Sequence, residues 1–160
     1  MKVKVTVRYD GNTVELEGGP REVYESLQSL FKKILPTYEL AREMLYSVDV
    51  KDLVEILRPY VVISEEGDII LTEAGESLSM SNKILSVLIA ARLLKMLGKR
   101  ESEYLTLNEI ASIISASPKS TSSRLSELHA RGYVERGRGE EGVRYRVSLK
   151  GIMGFQRKTS

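Results

Sequence analysis

The chain opens in strict alternation. Val3, Val5, Val7 and Tyr9 fall on one side and Lys2, Lys4, Thr6 and Arg8 on the other, the period of a half-buried strand. Asp10-Gly11-Asn12 is a hairpin signal, because glycine and asparagine accept positive φ cheaply. Thr13 to Glu17 returns as a second strand with Val14 and Leu16 inward. Gly18-Gly19-Pro20 breaks the alternation, and Val23, Leu27, Leu30, Phe31 and Ile34 then form a stripe at helical spacing that Pro36 ends. A second helix is predicted from about Tyr38, with Ala41, Met44 and Leu45 inward. A third, capped by Asp49, carries Leu53, Val54, Ile56 and Leu57. Val61-Val62-Ile63 and Ile69-Ile70-Leu71, joined through Glu65-Glu66-Gly67-Asp68, read as another hairpin.

The small, polar stretch Thr72 to Met80 marks the expected boundary. Residues 1–76 are read as an N-terminal α+β domain of unknown role and residues 77–160 as a second domain. Ser81 or Asn82 caps a long helix reaching about Leu97, with Gly98 closing it. Its apolar stretch, Ile84 to Leu97, is short for a bilayer and is interrupted by Ser86, Arg92 and Lys95, so a buried or dimer-forming helix is predicted.

Beyond it, Thr106 or Asn108 caps a short helix with Leu107, Ile110, Ala111 and Ile114 inward. Ser115-Ala116-Ser117 is a turn. Ser117 caps the next helix with Pro118 at its first position, and Thr121, Leu125 and Leu128 point to the core. Gly132 ends that helix. Tyr133 to Arg136 and Val143 to Leu149 form a ribbon with a flexible tip at Gly137 to Gly142. Val143, Tyr145, Val147 and Leu149 face in and Arg144, Arg146 and Ser148 out. Lys150-Gly151-Ile152 opens a short tail.

The order helix, helix, tight turn, helix, basic hairpin resembles the winged helix-turn-helix family in its MarR-type and ArsR-type branches. The residues that carry the resemblance are Leu105-Thr106 with Glu109-Ile110-Ala111, Ser117 to Leu128, Gly132 to Arg136, Tyr145 to Ser148 and Gly151, over about Asn82 to Phe155. The expected class is therefore α+β: a small N-terminal hairpin-plus-helices domain followed by a C-terminal winged helix-turn-helix. Upstream, Ile69 to Thr72 with Gly75 has the spacing of Tyr145 to Ser148 with Gly151. This leaves open a second, degenerate winged helix or an ordinary strand running into a turn.

The resemblance implies binding of double-stranded DNA, with the second helix of the turn motif in the major groove. Ser117, Ser120, Ser122 and Ser123 would let the backbone approach and bond phosphates, as Lys119 would. Arg124 is the candidate base reader, Arg138 would enter the minor groove, and Arg144 and Arg146 would follow the backbone. Charge is independently consistent. From Ser117 onward there are ten Lys/Arg and four Asp/Glu, against fourteen and eighteen before it. The plainer readings are a serine cap with solvated hydroxyls and ordinary surface arginines.

Other chemistry is thin. There is no cysteine, so no disulfide or thiolate site, and this favours an intracellular, cytoplasmic protein. Met1 to Arg8 lacks the apolar core of a signal peptide. The single histidine, His129, suits the end of its helix and has no evident second ligand. Glu65-Glu66-Gly67-Asp68 lacks the spaced oxygens of a calcium loop. No cofactor, metal or catalytic constellation is expected. Many charges with few Asn and Gln hint at a thermophilic source. A transcriptional regulator is the leading expectation and a winged-helix protein-interaction module the alternative. A homodimer, and a protein or small-molecule partner for the N-terminal part, are further candidates; a membrane is not.

Overall fold

The computed structural model describes residues 1–34 and 48–159, and the chain divides into the compact units Met1–Ser47 and Val48–Ser160. The helix expected from Tyr38 and the stop at Pro36 lie outside the described residues.

In the first unit β1 (Val3–Tyr9) and β2 (Asn12–Gly18) pair antiparallel, with Tyr9 opposite Asn12. Asp10 (φ 45°) and Gly11 (φ 78°) form the two-residue turn, the left-handed pair that matches strand twist. Helix α1 (Pro20–Ile34) follows. Of its stripe, Val23 is buried and Leu27, Leu30 and Ile34 are half-buried. Phe31 is exposed, contrary to the expected inward face.

The second unit contains α2 (Val50–Leu57), β3 (Val61–Ile63), β4 (Ile69–Leu71), α3 (Glu73–Glu76) and α4 (Met80–Met96). Then come β5 (Leu105–Thr106), α5 (Leu107–Ile114), α6 (Pro118–Ala130), β6 (Val134–Gly139), β7 (Gly142–Val147) and α7 (Leu149–Thr159). The class is α+β, as expected. The boundary is not. Leu53 and Leu57 of α2, and Val61, Ile69 and Leu71 of the first hairpin, share one core with α4 and with Leu125, Val147 and Phe155. A division at 76/77 would cut through that core; the units divide at 47/48 instead.

Helix α4 is the axis of this core. Ser79 rather than Ser81 or Asn82 caps it, accepting from the Asn82 N–H. From Ile84 to Ala91 every residue is buried, as are Leu93 and Leu94. A helix that is apolar on all sides must be enclosed on all sides. Here α2, α5, α6, α7 and strand β7 enclose it. Each fully buried Leu, Ile or Val adds roughly 1.5–3 kcal/mol. Buried Ser86 is satisfied locally, its hydroxyl donating to the Lys83 carbonyl at 2.7 Å. The segment is buried over Ile84 to Ala91, while Met96 and Leu97 at its end are exposed.

Some inward assignments fail at exposed edges. Val54 is 42% exposed, Val143 near the ribbon tip is 45% exposed, and Leu149, which opens α7 rather than ending β7, is 41% exposed. Ser148 is buried, not outward. The expected tail is a helix, α7, which returns over the core through Ile152 and Phe155.

The upstream echo is a repeated structural bracket. The Thr72 N–H donates to Tyr60 O at 2.9 Å, and the Ser148 N–H to Tyr133 O at 3.0 Å. The Thr72 hydroxyl donates to Pro59 O at 2.7 Å, and the Ser148 hydroxyl to Gly132 O at 2.6 Å. Each hydroxyl then accepts from a glycine N–H, Gly75 at 3.1 Å and Gly151 at 3.0 Å. A Cβ on either glycine would collide with the corresponding tyrosine carbonyl. Arg58-Pro59-Tyr60-Val61 stands where Arg131-Gly132-Tyr133-Val134 stands in the second copy. Helix, ribbon and exit helix are thus built twice around α4.

Candidate nucleic-acid interface

The helix-turn-helix forms for local reasons. Thr106 caps α5 in a capping box with Glu109. Ser115 takes the left-handed conformation (φ 54°) and closes α5, and the Ala116 N–H returns to Ala111 O at 3.0 Å. Two residues after Ser115 the chain starts α6, capped by Ser117, whose hydroxyl accepts from the Ser120 N–H at 3.1 Å. Pro118 occupies the first turn, where its missing N–H costs nothing. Thr121, Leu125 and Leu128 are buried as expected, and the Thr121 hydroxyl donates to Ser117 O at 2.9 Å. These anchors fix the rotation of α6.

That rotation leaves Pro118, Lys119, Ser120 and Ser123 exposed and Ser122 and Arg124 half-exposed. Ser117 and Ser120 are engaged with each other at 2.9 Å, so both act in the cap. Lys119 and Ser123 have no partner among the described residues. Arg124 is different: it donates to the Glu127 carboxylate at 2.8 Å and its Nε has no acceptor.

The ribbon is a three-stranded sheet in the order β5-β7-β6, with Leu105 opposite Tyr145 and Val134 opposite Val147. Strand pairing runs to Gly139 opposite Gly142, so the tip is the two-residue turn Glu140-Glu141, with Gly142 at φ 106°. Arg138 sits within β6 opposite Val143, exposed and without a partner among the described residues. The glycines expected to loosen the tip have structural tasks. A Cβ on Gly137 would stand 2.8 Å from the Tyr104 ring, and one on Gly139 would stand 2.6 Å from Arg144 Nε.

Tyr104, which the sequence reading overlooked, organises the arginines of β7. The Arg144 and Arg146 guanidinium carbons lie 5.1 and 5.0 Å from its ring centre, on cation–π geometry. Arg146 also bonds Glu135 at 2.7 Å and pairs with Glu103 at 3.4 Å. The Glu135 hydrogen bond holds the Arg146 guanidinium above its ordinary pKa range, against a smaller desolvation effect. Arg144 carries no carboxylate partner, and its Nε is without an acceptor. Arg136, also overlooked, donates to Ser126 at 3.3 Å and ties β6 to α6.

A second cationic cluster lies at the other end of α6. Arg131, Lys150 and Lys158 approach the Tyr133 ring centre at 4.9, 5.6 and 5.9 Å. Beside it is a cavity of about 410 Å³ lined by Tyr133, Leu149, Lys150, Met153, Gly154 and Arg157. His129 is occupied by its own fold, with Nδ1 3.1 Å from Val134 O. Among the described residues no group of His, Asp and Glu could hold a metal ion, and no helix is long and apolar enough to cross a membrane.

No protein-family model matches the sequence, and no curated protein matches it significantly. Among solved structures, a MarR family protein from Bacillus stearothermophilus aligns at 16% identity over 88% of this chain and 79% of that one, with a TM-score of 0.34. At that score the winged helix-turn-helix of residues 105–147 rests on its own element order, caps and register.

Proposed function

We propose that the protein binds double-stranded DNA through the leading end of α6 and the adjoining β6–β7 ribbon, and acts as a transcriptional regulator. One observation carries the reading. Thr121, Leu125 and Leu128 lock α6 so that Lys119, Ser120 and Ser123 stand outward at a capped helix N-terminus. Small hydroxyls and a cation at a helix N-terminus suit a phosphate-lined groove. Arg138 adds an unpaired charge on the ribbon, and the +6 balance after residue 117 supports long-range attraction.

The test is binding of random-sequence duplex over a salt series, followed by selection of bound sequences. Lys119→Ala and Arg138→Ala are each expected to flatten the log–log salt slope by about one unit. Unchanged slopes in both would overturn the assignment.

A second reading, a module that docks protein, has its own support. The ribbon tip is Glu140-Glu141, and Arg124 and Arg146 are already matched by carboxylates. It predicts recovery of one stoichiometric protein partner and no duplex binding at low salt.

A further inference from the structure

The two copies of the bracket differ where they face solvent. In the C-terminal ribbon the outward pair next to Val134–Val147 is Glu135 opposite Arg146, an ion pair. In the upstream ribbon the pair next to Val61–Leu71 is Val62 opposite Ile70, 54% and 52% exposed. An isolated surface valine needs no explanation, but two branched apolar residues directly opposed on a solvent face leave a patch that water does not favour. Around it the charge is one-sided. Residues 48–76 hold two Lys/Arg and eight Asp/Glu. Glu55, Glu65, Glu66 and Glu73 are exposed, and none has a cationic partner among the described residues.

The complementary surface is on the same chain. At the Tyr133 cavity, Arg131, Lys150 and Lys158 converge on one ring without a carboxylate partner among the described residues. Like charges gathered so closely repel one another unless an anion joins them. Leu149 and Met153, 41% and 39% exposed, line or border the same cavity. Cations and apolar groups together suit an acidic ribbon with an apolar face. Both surfaces are exposed on one compact unit, so they do not satisfy each other within a single molecule.

We infer that the protein self-associates head to tail, the acidic β3–β4 ribbon of one copy docking with Val62 and Ile70 on the Tyr133–α7 cavity of the next. Such a contact is heterologous and propagates rather than closing on a two-fold axis. The cavity lies at the trailing end of α6. That helix of 13 residues is about 20 Å long, so Lys119 at its leading end stays free. Copies bound side by side on a duplex would then reinforce one another.

The inference is tested by sedimentation velocity from micromolar to submillimolar protein at low and high salt. The wild-type chain is expected to form concentration-dependent oligomers at low salt that dissociate at high salt. Val62→Ser with Ile70→Ser should abolish them, with the circular dichroism spectrum unchanged. Two charge-swapped variants make the decisive arm: Glu65→Lys with Glu66→Lys, and Lys150→Glu with Lys158→Glu. Each alone should be monomeric, and the mixture should form alternating hetero-oligomers, because the ribbon of each variant then meets a cavity of opposite charge on the other. A wild-type chain that stays monomeric throughout would overturn the inference, as would a mixture that forms no hetero-oligomer. Duplex binding by the Val62→Ser, Ile70→Ser chain is scored separately, so loss of self-association and failure of the DNA reading are distinguishable.

Discussion

Glu135 and Arg146 face each other across the β6–β7 ribbon, and the carboxylate accepts from Arg146 Nε at 2.7 Å. With Glu103 at 3.4 Å, the arginine is matched by two negative charges. It is therefore expected to be a poorer phosphate ligand than Arg138, although the two look alike in the sequence. Glu135→Gln is expected to tighten duplex binding several-fold and to steepen the salt slope by up to about one unit. Arg146→Ala should change affinity less than Arg138→Ala does. Fluorescence anisotropy titrations at four or more salt concentrations would check both; looser binding by Glu135→Gln would count against DNA contact by this face of the ribbon.

Ser117 serves the fold as well as the surface. Removing its hydroxyl leaves the Ser120 N–H without its cap, so Ser117→Ala should cost about 1 kcal/mol and lower Tm by a few degrees. Ser117→Asp, which keeps a cap acceptor, should retain stability while weakening duplex binding through its negative charge. Thermal melts and binding isotherms of the two variants separate these effects.

The paired brackets predict parallel damage. Gly75→Ala and Gly151→Ala each force a Cβ against a tyrosine carbonyl, and backbone cannot swing aside as a side-chain tip can. Each should destabilise by about 1–3 kcal/mol or more, as overpacking does. Thr72→Ala and Ser148→Ala, which each delete a hydroxyl that both donates and accepts, should cost about 1–3 kcal/mol. Denaturant midpoints would report all four. A neutral Gly75→Ala beside a damaging Gly151→Ala would show that the two brackets are not equivalent.

Asp49 supplies a pH dependence. Hydrogen bonding from the Asp52 N–H, in a reciprocal capping box, holds its carboxyl below the usual aspartate value. A folded-state pKa below the unfolded one means that this contribution is complete above the ordinary carboxylate range. It is lost as pH falls through the depressed folded value. Asp49→Asn should therefore narrow the difference in Tm between neutral and acidic buffer, and melts from pH 7 down to pH 3 would show it.

The helix-turn-helix was legible because its signals are local. Ser117-Pro118, the spacing of Thr121, Leu125 and Leu128, and Gly132 at φ 79° each act within a turn or two of chain. The domain boundary was not, because it depends on what Leu53, Ile69 and Leu71 pack against, and that partner is α4, downstream of the polar stretch that marks the expected boundary. Helix α7 was missed because Gly151 and Gly154 depress helix propensity. Gly151 is needed for close approach to the Tyr133 carbonyl. The state of the arginines was hidden for a related reason. Glu103 and Tyr104 lie some forty residues before Arg146, and only the fold brings them together.

Because α4 is wrapped by segments of its own chain, assembly is not a condition of folding for residues 48–159. An obligate dimer typically completes its interior with a neighbour's residues and melts at a temperature that rises with concentration. Here the interior is finished within one protomer, so the melting point at high salt should be the same for dilute and concentrated samples. Any joining of copies becomes a reversible property of the periphery, free to respond to ions or to a bound polymer without putting the fold at risk.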